Sequence, residues 1–133
     1  MEALLQMSPL PASFYYVWLA NQTSGGLSSA INGTAFTLGR ALVGTQLTTS
    51  QTFNATTPYY LAMRRNGSTT EMFVDAVAGA SSGAIATSYP QGSATIGVDG
   101  DLATLKLQGS IFALRITKAA HPISVLTAPF PVT

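Results

Sequence analysis

The chain contains no cysteine. That excludes a disulfide framework and any thiolate metal site, and it removes the usual mark of a small secreted module. Charge is nearly as scarce. Six Lys+Arg and five Asp+Glu make up 8% of the 133 residues, against about 25% in an average soluble domain. The net charge is +1, and the only adjacent basic pair is Arg64-Arg65. The clustered cations that a phosphate backbone needs are therefore missing, and nucleic acid is not an expected partner. Histidine occurs once, as His121 before Pro122, with no Ser/Asp partner readable for a triad. Helical spacing is absent as well, since no window of about ten residues carries a persuasive helical period. The uncharged run from Ala3 to Gly39 is interrupted by Ser, Thr, Asn, Gln and Gly, so it does not read as a membrane span. Met1-Glu2-Ala3-Leu4-Leu5 lacks the positive start of a signal peptide, which predicts use without Sec export.

Hydroxyls stand where charges would be. Ser and Thr together supply 30 residues. A chain of this length fits one domain and buries roughly two thirds of its unfolded surface, enough for an unstapled core. An uncharged surface rich in Thr and Ala suits a protein held against copies of itself or a larger assembly. The plain alternative is a β domain that uses Thr on its outer faces.

The periodicity is that of strands. Tyr59, Leu61 and Met63 alternate on one face, as do Phe112, Leu114 and Ile116, with Arg115 and Thr117 opposite. Leu105 and Leu107, Phe36 and Leu38, and the run Ala94-Thr95-Ile96-Gly97-Val98 repeat the pattern. Phe14 to Leu19 is apolar on both faces and reads as a central strand covered on both sides, or else as a face that meets another subunit. Asn32-Gly33 and Asn66-Gly67 are the dipeptides of two-residue hairpins, Asp99-Gly100 and Gly25-Gly26 read as turns, and Gly79 to Gly83 reads as a small flexible stretch. Strands every ten or so residues joined by such turns predict an all-β fold, an antiparallel β-sandwich or jelly roll.

The predicted organisation is an N-terminal arm over 1–13 (Met1 to Met7 forming a helical turn or an arm, stopped by Pro9 and Pro11), a sandwich over 14–118 and an extended tail over 119–133. Pro122, Pro129 and Pro131 bar regular pairing for most of the tail. Its apolar residues still need cover, so Ile123, Val125, Leu126 and Phe130 are the expected partner-binding residues.

Candidates for chemistry are few. A glycosidase needs two carboxylates roughly 5 to 9.5 Å apart. Glu71 and Asp75 lie four residues apart on one strand face, about 13 Å at strand rise, too far for a retaining pair. No catalytic residue, cofactor site or metal site is assigned, and the chain is not expected to be an enzyme. Asp99-Gly100-Asp101 could hold calcium, but such pairs more often polarise a turn. Arg115 reads equally as a locally paired arginine and as a contact to a partner's carboxylate. The sequons at Asn21, Asn32, Asn54 and Asn66 are explained by turn and strand composition rather than by glycans.

Five short segments, in order, resemble the second half of a LamG-like, concanavalin A-like lectin domain of the form common in tailed-phage virion proteins. They are Tyr59 to Arg65 running into Asn66-Gly67-Ser68, then Met72-Phe73-Val74-Asp75-Ala76, Tyr89 to Gly97, Leu107 to Lys118, and Leu126-Thr127-Ala128-Pro129-Phe130-Pro131. The sequence departs from the family's pattern at Ala76, where glycine is usual, and at Phe112-Ala113, where polar residues are usual. The family's long N-terminal part is abbreviated, which implies a trimmed sandwich whose missing edge a partner chain supplies. The resemblance implies a concanavalin A-like jelly roll. It implies a structural virion protein, a capsid cement or decoration protein in contact with the major capsid protein or other virion proteins. Such a protein is a homo-oligomer, assembled in the host cytoplasm, with neither nucleic acid nor membrane as partner. The alternative is a carbohydrate-binding adhesin of the tail or baseplate, with Tyr89, Asp99 and Asp101 toward a glycan.

Overall fold

A computed structural model describes residues 1–10, 14–20, 27–32, 35–40, 44–49, 52–67, 69–75, 77–82, 93–97 and 106–117. These residues form ten strands: β1 (Glu2–Met7), β2 (Phe14–Ala20), β3 (Leu27–Asn32), β4 (Ala35–Arg40), β5 (Gly44–Thr48), β6 (Pro58–Asn66), β7 (Thr69–Val74), β8 (Val77–Ser82), β9 (Ala94–Ile96) and β10 (Gly109–Arg115). There is no helix among the described residues, and so none long enough to cross a membrane. The strands make two five-stranded antiparallel sheets, ordered β10-β1-β6-β7-β8 and β5-β4-β3-β2-β9. The fold class is thus all-β and sandwich-like, as the alternation predicts.

One core lies between the sheets. Ala3, Leu5, Met7, Tyr59, Leu61, Met63, Met72 and Val74 reach it from the first sheet, and Val17, Ile31 and Phe36 from the second. Phe53, on the way into β6, adds an edge-on ring contact to Tyr59, with centroids 4.7 Å apart. The predicted inward face of β6 is therefore the real one, as is the inward Phe36. Hydroxyls close the buried backbone locally. Thr49 accepts from the Phe36 amide at 3.1 Å while its own amide donates to the Phe36 carbonyl, and Thr37 donates to the Ala30 carbonyl at 3.1 Å. This is how a chain with so few charges satisfies the polar groups it buries.

Three expectations need correction. Residues 2–7 are not an arm. They form β1, hydrogen-bonded on both sides between β10 and β6, with Ala3, Leu5 and Met7 fully buried. The reason is that Ala3, Leu5 and Met7 alternate correctly for a strand, and their partners are supplied from far along the chain. Gly79 does not open a flexible stretch but lies within β8, where a Cβ would come within 2.7 Å of Thr49 Cγ2, so glycine permits the close approach. Phe112 and Ile116 are not core: they are 55% and 52% exposed, and only Leu114 of that trio packs inward, half-buried.

Ile116 lies beyond β10, past its last rung to β1 at Arg115, whereas for Phe112 the cause is a β-bulge. Leu4 pairs Ala113 but Leu5 pairs Ile111, so Phe112 is the extra residue. The inserted residue shifts the alternation by one, bringing both Ile111 and Leu114 against the core. Ile96 is 51% exposed in the short edge strand β9. Leu107 packs against the core, although it precedes β10 rather than lying in a strand. β2, which carries the doubly apolar run Phe14 to Leu19, lies between β3 and β9 in its sheet.

The hairpins sit one residue later than the Asn-Gly rule places them. Asn66 pairs Thr69, so the loop begins at Gly67, whose φ of +61° suits glycine. Asn32 similarly pairs Ala35. A hairpin that the sequence reading missed joins β7 to β8 through Asp75, which takes φ +48°. Asp75 stabilises its own position there. Its carboxylate accepts from the Tyr60 amide and its amide donates to the Tyr60 carbonyl, both at 2.8 Å.

Candidate functional site

The expected partner-binding residues Ile123, Val125, Leu126 and Phe130 lie outside the described residues, as do His121, Tyr89, Asp99, Asp101 and Leu105. Among the described residues no group of three or more His, Asp or Glu side chains is placed to hold a metal. Glu71 is engaged by Arg64, whose Nε donates to it at 2.5 Å. Asp75 is spent on the Tyr60 backbone. The two carboxylates considered for hydrolysis thus have separate structural partners.

Two features remain. The first is a set of polar groups on the face of the first sheet turned away from the core. Glu2, Leu4 and Gln6 of β1 point there, beside Tyr60 and Ala62 of β6, Phe73 of β7 and Arg115 of β10. Arg115 Nε donates to Glu2 Oε2, and the Tyr60 hydroxyl donates to Glu2 Oε1 at 3.2 Å. The side chain of Glu2 is 3% exposed and that of Arg115 38%. Of the two readings of Arg115, the locally paired one is therefore realised. Burial, followed by the adjacent Glu2 carboxylate, pushes the Tyr60 hydroxyl up to about 12. The hydrogen bond to Glu2 is the main cause raising the Arg115 guanidinium further. Sequence reasoning passed over Glu2 and Tyr60. The available signal was that Glu2 is the one charge before Arg40.

The second feature is exposed apolar surface. Phe112 and Ile116 project from β10 and beyond its end, Ile96 from β9, and Val77 from the start of β8. β10 approaches the β9 end of the second sheet: Leu107 N–H donates to Gly97 O at 2.7 Å, and Gly97 N–H to Val17 O at 3.2 Å. The residues just before β10 thus lie against the end of β9. Large apolar side chains at half exposure are the surface property that association buries. Comparison with family models, with curated proteins and with solved structures finds no match to this chain.

Proposed function

We propose that the chain is a structural protein of a tailed-phage virion, a capsid cement or decoration protein that stabilises the shell by protein–protein contacts. The observation that carries the reading is the exposure of Phe112, Ile116 and Ile96 on a protein only 8% charged. Such a surface favours contact over solvation, and the ordered sequence resemblance to phage LamG-like proteins supplies the setting. In this reading the two sheets belong to a concanavalin A-like jelly roll. The partner is the major capsid protein or another virion protein, together with further copies of the chain, and the place is the virion, after assembly in the bacterial host cytoplasm. The action is passive and not enzymatic. The sandwich sits where capsid subunits meet, and Ile123, Val125, Leu126 and Phe130 of the tail contact a neighbour. An interface of this kind needs about 1,000 Å² of buried surface or more.

The test is particle binding by a full chain and by one lacking Ile123 to Thr133. The expected result is that the shortened chain keeps its fold and loses occupancy on purified particles. Unchanged occupancy and unchanged salt resistance would overturn the clamp. If the protein is found only at the tail tip, with binding competed by a polysaccharide, the adhesin reading replaces this one.

A further inference from the structure

We propose that β1 is exchanged between copies, the slot between β6 and β10 of one chain taking the Glu2–Met7 strand of a second. This inference is independent of the virion reading. It starts from the topology. β1 is antiparallel to both of its neighbours, so β6 and β10 run parallel to each other. Without β1 those two strands could meet only by a different, parallel hydrogen-bond pattern. The first sheet is thus continuous only when a β1 strand fills the gap, and two rows of backbone groups are satisfied by it at once.

The slot is also built late. Glu2 and Arg115 are 113 residues apart in sequence, and Glu2 and Tyr60 are 58 apart. Both walls must be in place before β1 can bury Ala3, Leu5 and Met7, so its own loop closures are among the longest in the fold. Until then β1 of a nearby copy can compete for the same slot. An exchanged strand makes every contact of the original, so the energetic difference is confined to the connection over 8–13. That connection is short and carries Pro9 and Pro11, a composition that limits how freely β1 can fold back. A net charge of +1 gives little repulsion between copies.

The chemistry of the slot selects the occupant. One end presents Arg115 and the Tyr60 hydroxyl, which are matched by the Glu2 carboxylate, and the floor takes the small-large-large series Ala3, Leu5, Met7. An apolar strand without an acid in that place would forgo the bonds that the Glu2 carboxylate makes with Arg115 and Tyr60. The fitting ligand is therefore a second copy of this chain and not any exposed strand. A tethered β1 competes at an effective concentration on the order of millimolar, so exchange is expected where copies are crowded to that level, as in an assembly.

The absence of cysteine makes the test clean. Two full-length variants, Leu4→Cys and Ala113→Cys, are prepared with different mass tags and co-refolded at about millimolar concentration, matching the tethered strand. Leu4 and Ala113 are register partners across β1 and β10, within reach of a disulfide. The expected result is that the mixed disulfide dimer, one chain of each kind, is the principal covalent product and exceeds either homodimer. The pair Gln6→Cys and Ser110→Cys, also register partners and on a more open part of the ladder, repeats the measurement if the first pair impairs folding. A mixed dimer no more abundant than the homodimers, with folded chains, would overturn the proposal. So would monomers alone.

Discussion

Arg115→Met is expected to cost more stability than Glu2→Gln, although both delete one end of the same ion pair. The asymmetry follows from solvent access. When Arg115 is removed, Glu2 is left charged at 3% exposure, with the Tyr60 hydroxyl still donating to it. Breaking a buried pair in this way costs about 3–5 kcal/mol, and the low end applies because Tyr60 still donates to the carboxylate. When Glu2 becomes Gln, the amide keeps the shape and an acceptor for Tyr60, and Arg115, at 38% exposure, regains part of its hydration. That change should cost about 1–2 kcal/mol. For a chain of 133 residues, a loss of about 3 kcal/mol corresponds to a fall of about 10 °C in Tm. Urea unfolding followed by the fluorescence of Trp18, the single tryptophan, measures both variants, and an unchanged m-value shows that the same transition is being compared. If Glu2→Gln proves equally or more damaging than Arg115→Met, the burial argument fails, and the pair is held together by something other than the desolvated carboxylate.

Other outcomes follow from the same coordinates. Gly109→Ala should unfasten β10 from β1, because a Cβ there would sit 2.0 Å from the Gln6 carbonyl oxygen; hydrogen exchange in residues 2–7 would read it, and unchanged protection would refute it. Gly67→Val should cost about 1 kcal/mol or more through its positive φ alone, since open space surrounds the position; an unchanged Tm would refute it. Phe112→Ser should leave the stability of the isolated chain within about 0.5 kcal/mol and weaken self-association or particle binding, read by denaturation and sedimentation side by side. Tyr60 is held neutral up to about 12 in the fold but ionises near 10 when unfolded. Its contribution is therefore complete below pH 10 and is lost as pH rises toward 12, so Tm should fall more steeply over that window in the native chain than in Tyr60→Phe.

The strands best read from sequence were those whose two faces keep step. Tyr59, Leu61 and Met63 alternate without interruption, and the structure leaves that register intact. β10 could not be read correctly by the same rule, because one inserted residue, Phe112, reverses the faces on either side of it, and nothing local marks the insertion. β1 was missed for a different reason. Its alternation spans only six residues, and its partners near 60 and 115 are too distant for the local sequence to signal. Turn chemistry was right in kind and off by one residue: Asn66 lies in the ladder and Gly67 takes the left-handed geometry. Asp75 supplies a turn without any glycine beside it, using its carboxylate on Tyr60 instead. The polar cluster escaped notice because Glu2, Tyr60 and Arg115 become neighbours only through pairing across three strands.

The register that joins Glu2 to Arg115 has a mechanical consequence. β1 and β10 are antiparallel, so residue 1 and residue 117 leave the sheet at the same end. A pull transmitted through those two points would load the ladder as a zipper, parting its hydrogen bonds one after another instead of shearing them together. The first rung to bear the load is the one carrying the Glu2–Arg115 ion pair and the Tyr60 hydroxyl bond. The strongest side-chain clasp on this face thus sits where peeling would begin, and rupture force should depend on that rung far more than on those behind it. Tension applied across β1 and β6 at opposite ends would instead distribute itself over the whole strand.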